Sequence, residues 1–182
     1  MRQIKWFDRK FDFSFDQNIF PSIIDRLSGV PIRLAHKVEA IPGEHLTIKP
    51  DNTWSIAENI GHLIDLEPLW QGRLEDILNG EKELREADLL NKKTDQANHN
   101  DQDVNELVQT FSGMRRATVA MLEALTEVEV YKFALHPRLK KPMRTMDLFL
   151  FVAEHDDHHL ARITEINKML SRHKTINQEL HK

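Results

Sequence analysis

Apolar positions recur at helical spacing in four long stretches of this chain, separated by polar segments that carry four of its seven prolines. Over residues 18–41, Phe20, Ile24, Leu27, Pro31, Leu34, Val38 and Ile41 predict a first helix, which Gly29 and Pro31 should divide into two pieces. Pro42-Gly43 ends it. After a loop, Ser55-Ile56-Ala57-Glu58 has the capping-box pattern of a helix start, and a second helix runs to about Leu78. Its apolar arc (Ile56, Ile60, Leu63, Ile64, Leu66, Trp70, Leu74, Ile77) is wide enough to pack on two neighbours, and Asn79-Gly80 supplies the stop. Pro68 should kink it, because proline offers no N–H to the carbonyl of Ile64.

Residues 81–102 are polar and lack a period, which predicts a long loop with one short helical turn over 83–89. Asp103-Val104-Asn105-Glu106 opens a third helix through Leu107, Phe111, Met114, Val119, Leu122 and Leu125. A second irregular connection over residues 130–144 holds His136-Pro137-Arg138, and Thr145 is expected to cap a fourth helix that ends near Arg172. Ahead of all four, Phe11, Phe13 and Phe15 alternate with Asp12 and Ser14, the pattern of an extended arm that lays rings on the surface. Long amphipathic segments without convincing strands specify an all-α domain, most simply a four-helix bundle.

Composition narrows the functional classes. With 182 residues and 40% hydrophobic content, the chain suits one domain around one core. The net charge of −4 comes from interspersed acids and bases, not from a basic stripe, so nucleic acid is not an expected partner. The chain lacks cysteine, which removes thiolate ligands, disulfides and a cysteine nucleophile, so any metal must be held by N or O donors. Met1-Arg2-Gln3-Ile4-Lys5-Trp6 carries no apolar leader, and no run approaches the ~18 apolar residues of a membrane span. The expectation is a cytoplasmic protein without a membrane partner.

The chemistry concentrates in the fourth helix, at His155-Asp156-Asp157-His158-His159. At about 100° per residue, His155 and His159 fall on the same stripe as Leu148, Val152, Ile163, Ile166 and Leu170. Two imidazoles on a buried seam need partners, since leaving each unpaired costs about 1–3 kcal/mol. An i, i+4 pair is also the spacing at which two histidines grip one tetrahedral metal ion. A divalent metal site is therefore the expectation, and it needs at least one further donor. His62 lies within the second helix, at the edge of its apolar arc, and Gly61 beside it would permit a close helix approach.

Neighbouring residues are less decisive. His158 falls at the rim of the seam and is not expected to be a ligand. Asp156 mimics the general base of zinc peptidases, but it is one methylene shorter than Glu, so orientation of an imidazole or plain solvation is the better expectation. Glu67 lies on the apolar arc of the second helix, which calls for an ion pair with a partner such as Arg73, or an orienting contact to the site. Trp54 and Trp70 read as core or staple residues. Asn98-His99-Asn100 and His136-Pro137-Arg138 are loop groups that could reach over a pocket.

Taken together, Trp54-Ser55-Ile56-Ala57-Glu58-Asn59-Ile60-Gly61-His62-Leu63, then His136-Pro137-Arg138-Leu139, then Ala153-Glu154-His155-Asp156-Asp157-His158-His159-Leu160-Ala161-Arg162-Ile163 resemble the DinB-like family of four-helix bundles. The resemblance spans nearly the whole chain. It implies one DinB-like domain over residues 1–182, with an arm over 1–17, a bundle over 18–172 and a frayed tail over 173–182. It further implies zinc or nickel held by His62, His155 and His159, a small-molecule substrate and a homodimer. Within that family the implied activity is transfer of a low-molecular-weight thiol to an electrophile. The alternatives are hydrolysis by a metal-bound hydroxide and a non-catalytic bundle in which the metal only staples helices.

Overall fold

The computed structural model describes residues 3–13, 16–50 and 53–180, and of residues 173–180 the helical backbone alone. In chain order its elements are α1 (Phe20–Glu39), α2 (Ile56–Leu78), α3 (Lys92–Gln96), α4 (Val104–Glu123), α5 (Glu127–Tyr131), β1 (Phe133–Leu135), β2 (Pro142–Arg144) and α6 (Thr145–Leu180). Each of α1 and α2 packs against both α4 and α6, so the four long helices close a ring in the order α1–α4–α2–α6. That is a four-helix bundle. Among the described residues no helix is long and apolar enough to cross a membrane.

Local chemistry accounts for the helix ends. Ser55 Oγ accepts from the backbone N–H of Glu58, and the Glu58 carboxylate accepts from the backbone N–H of Ser55, which completes the capping box of α2. The Asp103 carboxylate accepts from the backbone N–H groups of Asn105 and Glu106 at the start of α4. Gly80, at φ 79°, follows α2 in the left-handed region that glycine tolerates. Thr145 is not a cap. It is the first residue of α6, its hydroxyl donates to the carbonyl of Glu129, and Asp147 instead accepts from the backbone N–H of Arg144.

Neither interior proline divides its helix: α1 runs through Pro31 and α2 through Pro68. Pro31 leaves the carbonyl of Leu27 without its donor, yet Leu27, Val30 and Leu34 are all fully buried, and their packing outweighs one lost hydrogen bond. α6 likewise continues past Arg172 to Leu180, over a stretch without proline or glycine. His181 and the side chain of His173 lie outside the described residues, as do Phe15, Asp51 and Asn52.

The connections hold more structure than their sequences announce. β1 and β2 pair antiparallel with Ala134 opposite Met143, both buried, and Glu83 bridges to Leu135 beside them. Strands of three residues are too short for alternation to show. The helical turns of the long loop lie not at 83–89 but at Lys92–Gln96 and at a 3-10 turn, His99–Asp101, each preceded by an asparagine in the left-handed region. The N-terminal arm is packed. Phe11 and Phe13 stack with centroids 6.0 Å apart against the apolar core, and Arg9 pairs with Glu154 of α6.

The core is not continuous. One apolar cluster joins Leu27 and Leu74 to Phe149 and Val152, and a second joins Leu34 and Ile60 to Phe111 and Ile163. Between the residues of these clusters, along α2, α4 and α6, fall buried polar side chains: His62 and Glu67, Arg115 and Thr118, and His155, Asp156 and His159.

Candidate metal centre

α2 contributes His62 to this layer and α6 contributes His155 and His159, all buried, with one ring nitrogen of each within 4.8 Å of the others. Ring centroids lie 5.3 Å (His62–His155), 4.9 Å (His62–His159) and 4.5 Å (His155–His159) apart. The structure thus brings together all three histidines singled out by the sequence. His158 is not in the set. It is half-buried, its ring stands edge-on to His159 at 5.5 Å, and its Nδ1 is buried without a hydrogen-bond partner.

Hydrogen bonds assign the tautomers of two rings. Asn59 uses its Nδ2 to donate to the carbonyl of Ser55, so its Oδ1 accepts from His159 Nδ1 at 2.9 Å. Thr94 donates its hydroxyl to Asp65 at 3.0 Å and therefore accepts from His62 Nδ1, also at 3.0 Å. Both rings then carry their lone pair on Nε2. Burial, more than any neighbour, pushes His62 down to about 4 and holds His155 and His159 well below the usual histidine range. The rings are neutral near pH 7, as ligands must be. His159 Nε2 and His155 Nε2 stand 3.2 Å apart, against about 3.3 Å for two nitrogens at 2.0–2.1 Å from a tetrahedral ion. His155 Nδ1 is buried without a partner.

The support behind His62 was not legible in the sequence. Thr94 lies on α3, and Asp65 also meets His99 Nε2 at 2.9 Å. Gly61 is small for this reason. A Cβ there would stand 2.2 Å from the His99 ring, so the close approach it permits is to a loop histidine and not to a helix. Asn100 accepts from Ser55 Oγ, and 98–100 pack behind the site rather than over the cavity.

Two sequence expectations about carboxylates need correction. Glu67, fully buried, pairs with Arg115 of α4 and not with Arg73, and also accepts from Thr118 Oγ1. Asp156, fully buried as well, neither orients an imidazole nor faces solvent; it grips the same Arg115. Burial pushes the Asp156 carboxyl up to about 6 against the pull of Arg115, whose own proton is held more tightly, despite burial, by the two acids. One cation between two carboxylates ties α2, α4 and α6 together at the level of the histidines.

The three rings open on a cavity of about 850 Å³. Trp54 stands 4.6 Å from His62, Trp6 lies 4.9 Å from His155, and Trp70 lies 5.9 Å from it, each a centroid distance. Trp54 and Trp70 are therefore walls of the cavity as well as packing groups. Trp6 belongs to the arm, where no periodic signal could mark it.

The chain matches the DinB superfamily over residues 26–163. It belongs to that family. Among solved structures it is similar to YfiT from Bacillus subtilis, described as a probable metal-dependent hydrolase with an unusual four-helix bundle topology. The identity is 23%, over 90% of this chain and 94% of that one, with a TM-score of 0.75. An uncharacterized protein from Clostridium difficile 630 is similar at 13% identity, over 85% and 98% of the two chains, with a TM-score of 0.65. Among curated proteins no match is found. At these identities the likeness of this DinB member to both structures is one of fold.

The buried histidines make the metal-free protein acid-sensitive. His62 and His136, both pushed down to about 4 by burial, and His155 and His159 below the usual range, refuse protons that the unfolded chain accepts near 6.5. Their contribution is complete above pH 6.5 and is lost as the pH falls toward 4; the raised carboxyl of Asp156 opposes this with a single group. Denaturant midpoints measured with chelator at pH 7.5, 6 and 5 should fall in that order. A midpoint constant across the range would show that these rings are not buried neutral.

Proposed function

We propose that His62, His155 and His159 hold one divalent cation, zinc or nickel, in a metal-dependent enzyme that acts on a small molecule in the cavity. The convergence of three neutral imidazoles on an aromatic-walled cavity carries this reading. Neutral nitrogen donors suit zinc and nickel, and they leave the ion its full charge. A divalent cation held there stabilises the deprotonated form of a thiol or water molecule that it binds.

The protein's own residues do the rest. Asn59 and Thr94 hold the Nδ1–H of His159 and His62, so that each Nε2 faces inward. The indoles of Trp6, Trp54 and Trp70 and the ring of Phe151 wall the cavity with aromatic surface around the reacting group. Of the carboxylates beside the ligands in sequence, Asp156 is locked on Arg115, Glu154 pairs with Arg9 and Arg26, and Asp157 with Arg26 and Arg33; none of the three lines the cavity.

Thiol transfer needs a stabilised thiolate and no general base, so we favour transfer of a low-molecular-weight thiol to an electrophile. Hydrolysis, the reaction class suggested for YfiT, is the second reading. The test is a panel of thiol–electrophile pairs beside a panel of hydrolysable amides and esters, assayed before and after complete chelation. Conjugation that vanishes with the metal and returns with zinc or nickel is the expected result. Turnover indifferent to metal removal would sink the proposal, and turnover of the hydrolytic panel alone would replace thiol transfer with hydrolysis.

A further inference from the structure

On another side of Trp70 the same cavity is lined by Arg73, His136 and Arg138, which the metal centre does not use. Arg73 is 2% exposed, its guanidinium carbon lies 5.6 Å from the Trp70 ring centroid, and among the described residues no carboxylate forms an ion pair with it. Its Nε donates to the carbonyl of Arg85 at 3.1 Å. Asp76, the acid that acts on it, is bound by Arg85. Burial outweighs Asp76 and pushes Arg73 down to about 10. Arg138, half-buried, lies over the Phe7 ring at 5.2 Å and forms no ion pair among the described residues.

His136, 3% exposed, shows what is missing. Its Nδ1 accepts from the backbone N–H groups of Arg138 and Leu139, both at 3.2 Å, so the proton of the neutral ring sits on Nε2. Yet Nε2 faces Arg73 Nη1, also a donor, at 3.2 Å. No tautomer satisfies all three donors around a neutral ring. Two buried N–H groups side by side, one from a guanidinium, need an acceptor that both can reach.

We propose that Arg73, His136 Nε2 and Arg138 form a subsite for an oxyanion, a carboxylate or phosphate carried by the substrate. Trp70 lies 5.9 Å from His155 and 5.6 Å from the guanidinium carbon of Arg73, so one small molecule spans both places. The carboxylates that line the cavity do not fill the role. Asp88 is taken by the backbone N–H groups of Leu90 and Lys92, Asp95 by Trp54 and Glu165 by Arg162, while Glu86 is exposed. The inference deepens the proposed function by giving its substrate a negative charge, and it rests on that reading only for where the reaction takes place.

The test is a titration of the full chain with inorganic phosphate and, separately, with succinate, at constant ionic strength, followed by tryptophan emission. Trp70 under the guanidinium is the reporter. Saturable binding of either anion is expected, and which one binds names the oxyanion. It should persist after chelation and in His155→Ala, and weaken at least tenfold in Arg73→Gln and in Arg138→Gln, the latter at a half-buried position where folding is not at stake. Absence of saturation by both anions, or wild-type affinity in Arg138→Gln, would overturn the subsite. Binding that disappears on chelation but survives both arginine changes would place the anion at the histidines instead, leaving the metal centre intact and this inference refuted. Conversely, anion binding as expected in a protein that takes up no metal would uphold the subsite and refute the proposed function.

Discussion

Arg115→Met should cost the fold about 3–5 kcal/mol, the loss expected when one partner of a buried ion pair is removed. Arg115 is 1% exposed and is gripped by Glu67 and Asp156, both fully buried. Methionine fills much of the same volume and keeps contact with Phe111, over which the guanidinium lies at 5.0 Å. What it cannot do is compensate two fully buried carboxylates. The triple change Glu67→Gln, Arg115→Met and Asp156→Asn should therefore be less destabilised than Arg115→Met alone, because it removes the stranded charges. Urea unfolding of the two variants and the wild type measures both effects. A single variant within about 1 kcal/mol of wild type would mean that the triad does not bind the helices together.

Loss of a ligand should be as large in a different quantity. His155→Ala or His159→Ala is expected to abolish stoichiometric metal uptake with the bundle retained, since each removes one of three donors while the apolar clusters on either side stay whole. Asn59→Ala, which frees the Nδ1–H of His159 and removes a donor to the carbonyl of Ser55, should weaken affinity by the 10–100-fold typical of an outer-shell partner. His158→Ala should bind like wild type, because that ring lies outside the set of converging nitrogens. Elemental analysis after dialysis, with a competition titration for affinity, ranks the four variants. Equal metal content in wild type, His155→Ala and His159→Ala would remove the metal centre from these residues.

The candidate site was half legible. His155 and His159 declare themselves because both requirements are local: four residues apart and on one apolar stripe of one helix. Glu67 shows as a charge on an apolar arc, which predicts burial and an ion pair but not the partner, since Arg115 lies 48 residues away. Arg115 carried a signal of its own, four residues after Phe111 and four before Val119, both buried. Thr94 and Trp6 carried none. One sits in an aperiodic polar loop and the other in an arm, and each acquires its role only by where the chain folds back. His136-Pro137-Arg138 was visible as a motif, but its misfit depends on Arg73, 63 residues distant.

What the sequence alone determined is what short-range physics controls: four amphipathic helices, the capping box at Ser55, the stop at Gly80 and the paired imidazoles of α6. Each depends on residues within a turn or two of one another, so spacing is enough. Only the tertiary structure decided that Pro31 lies within an unbroken helix, that the core splits around a charged layer, and that Trp6, Thr94 and Arg115 serve the site. Those outcomes are set by packing and by Coulomb pairing between distant segments, whose strength depends on burial, and burial is a property of the assembled bundle rather than of any one stretch of chain.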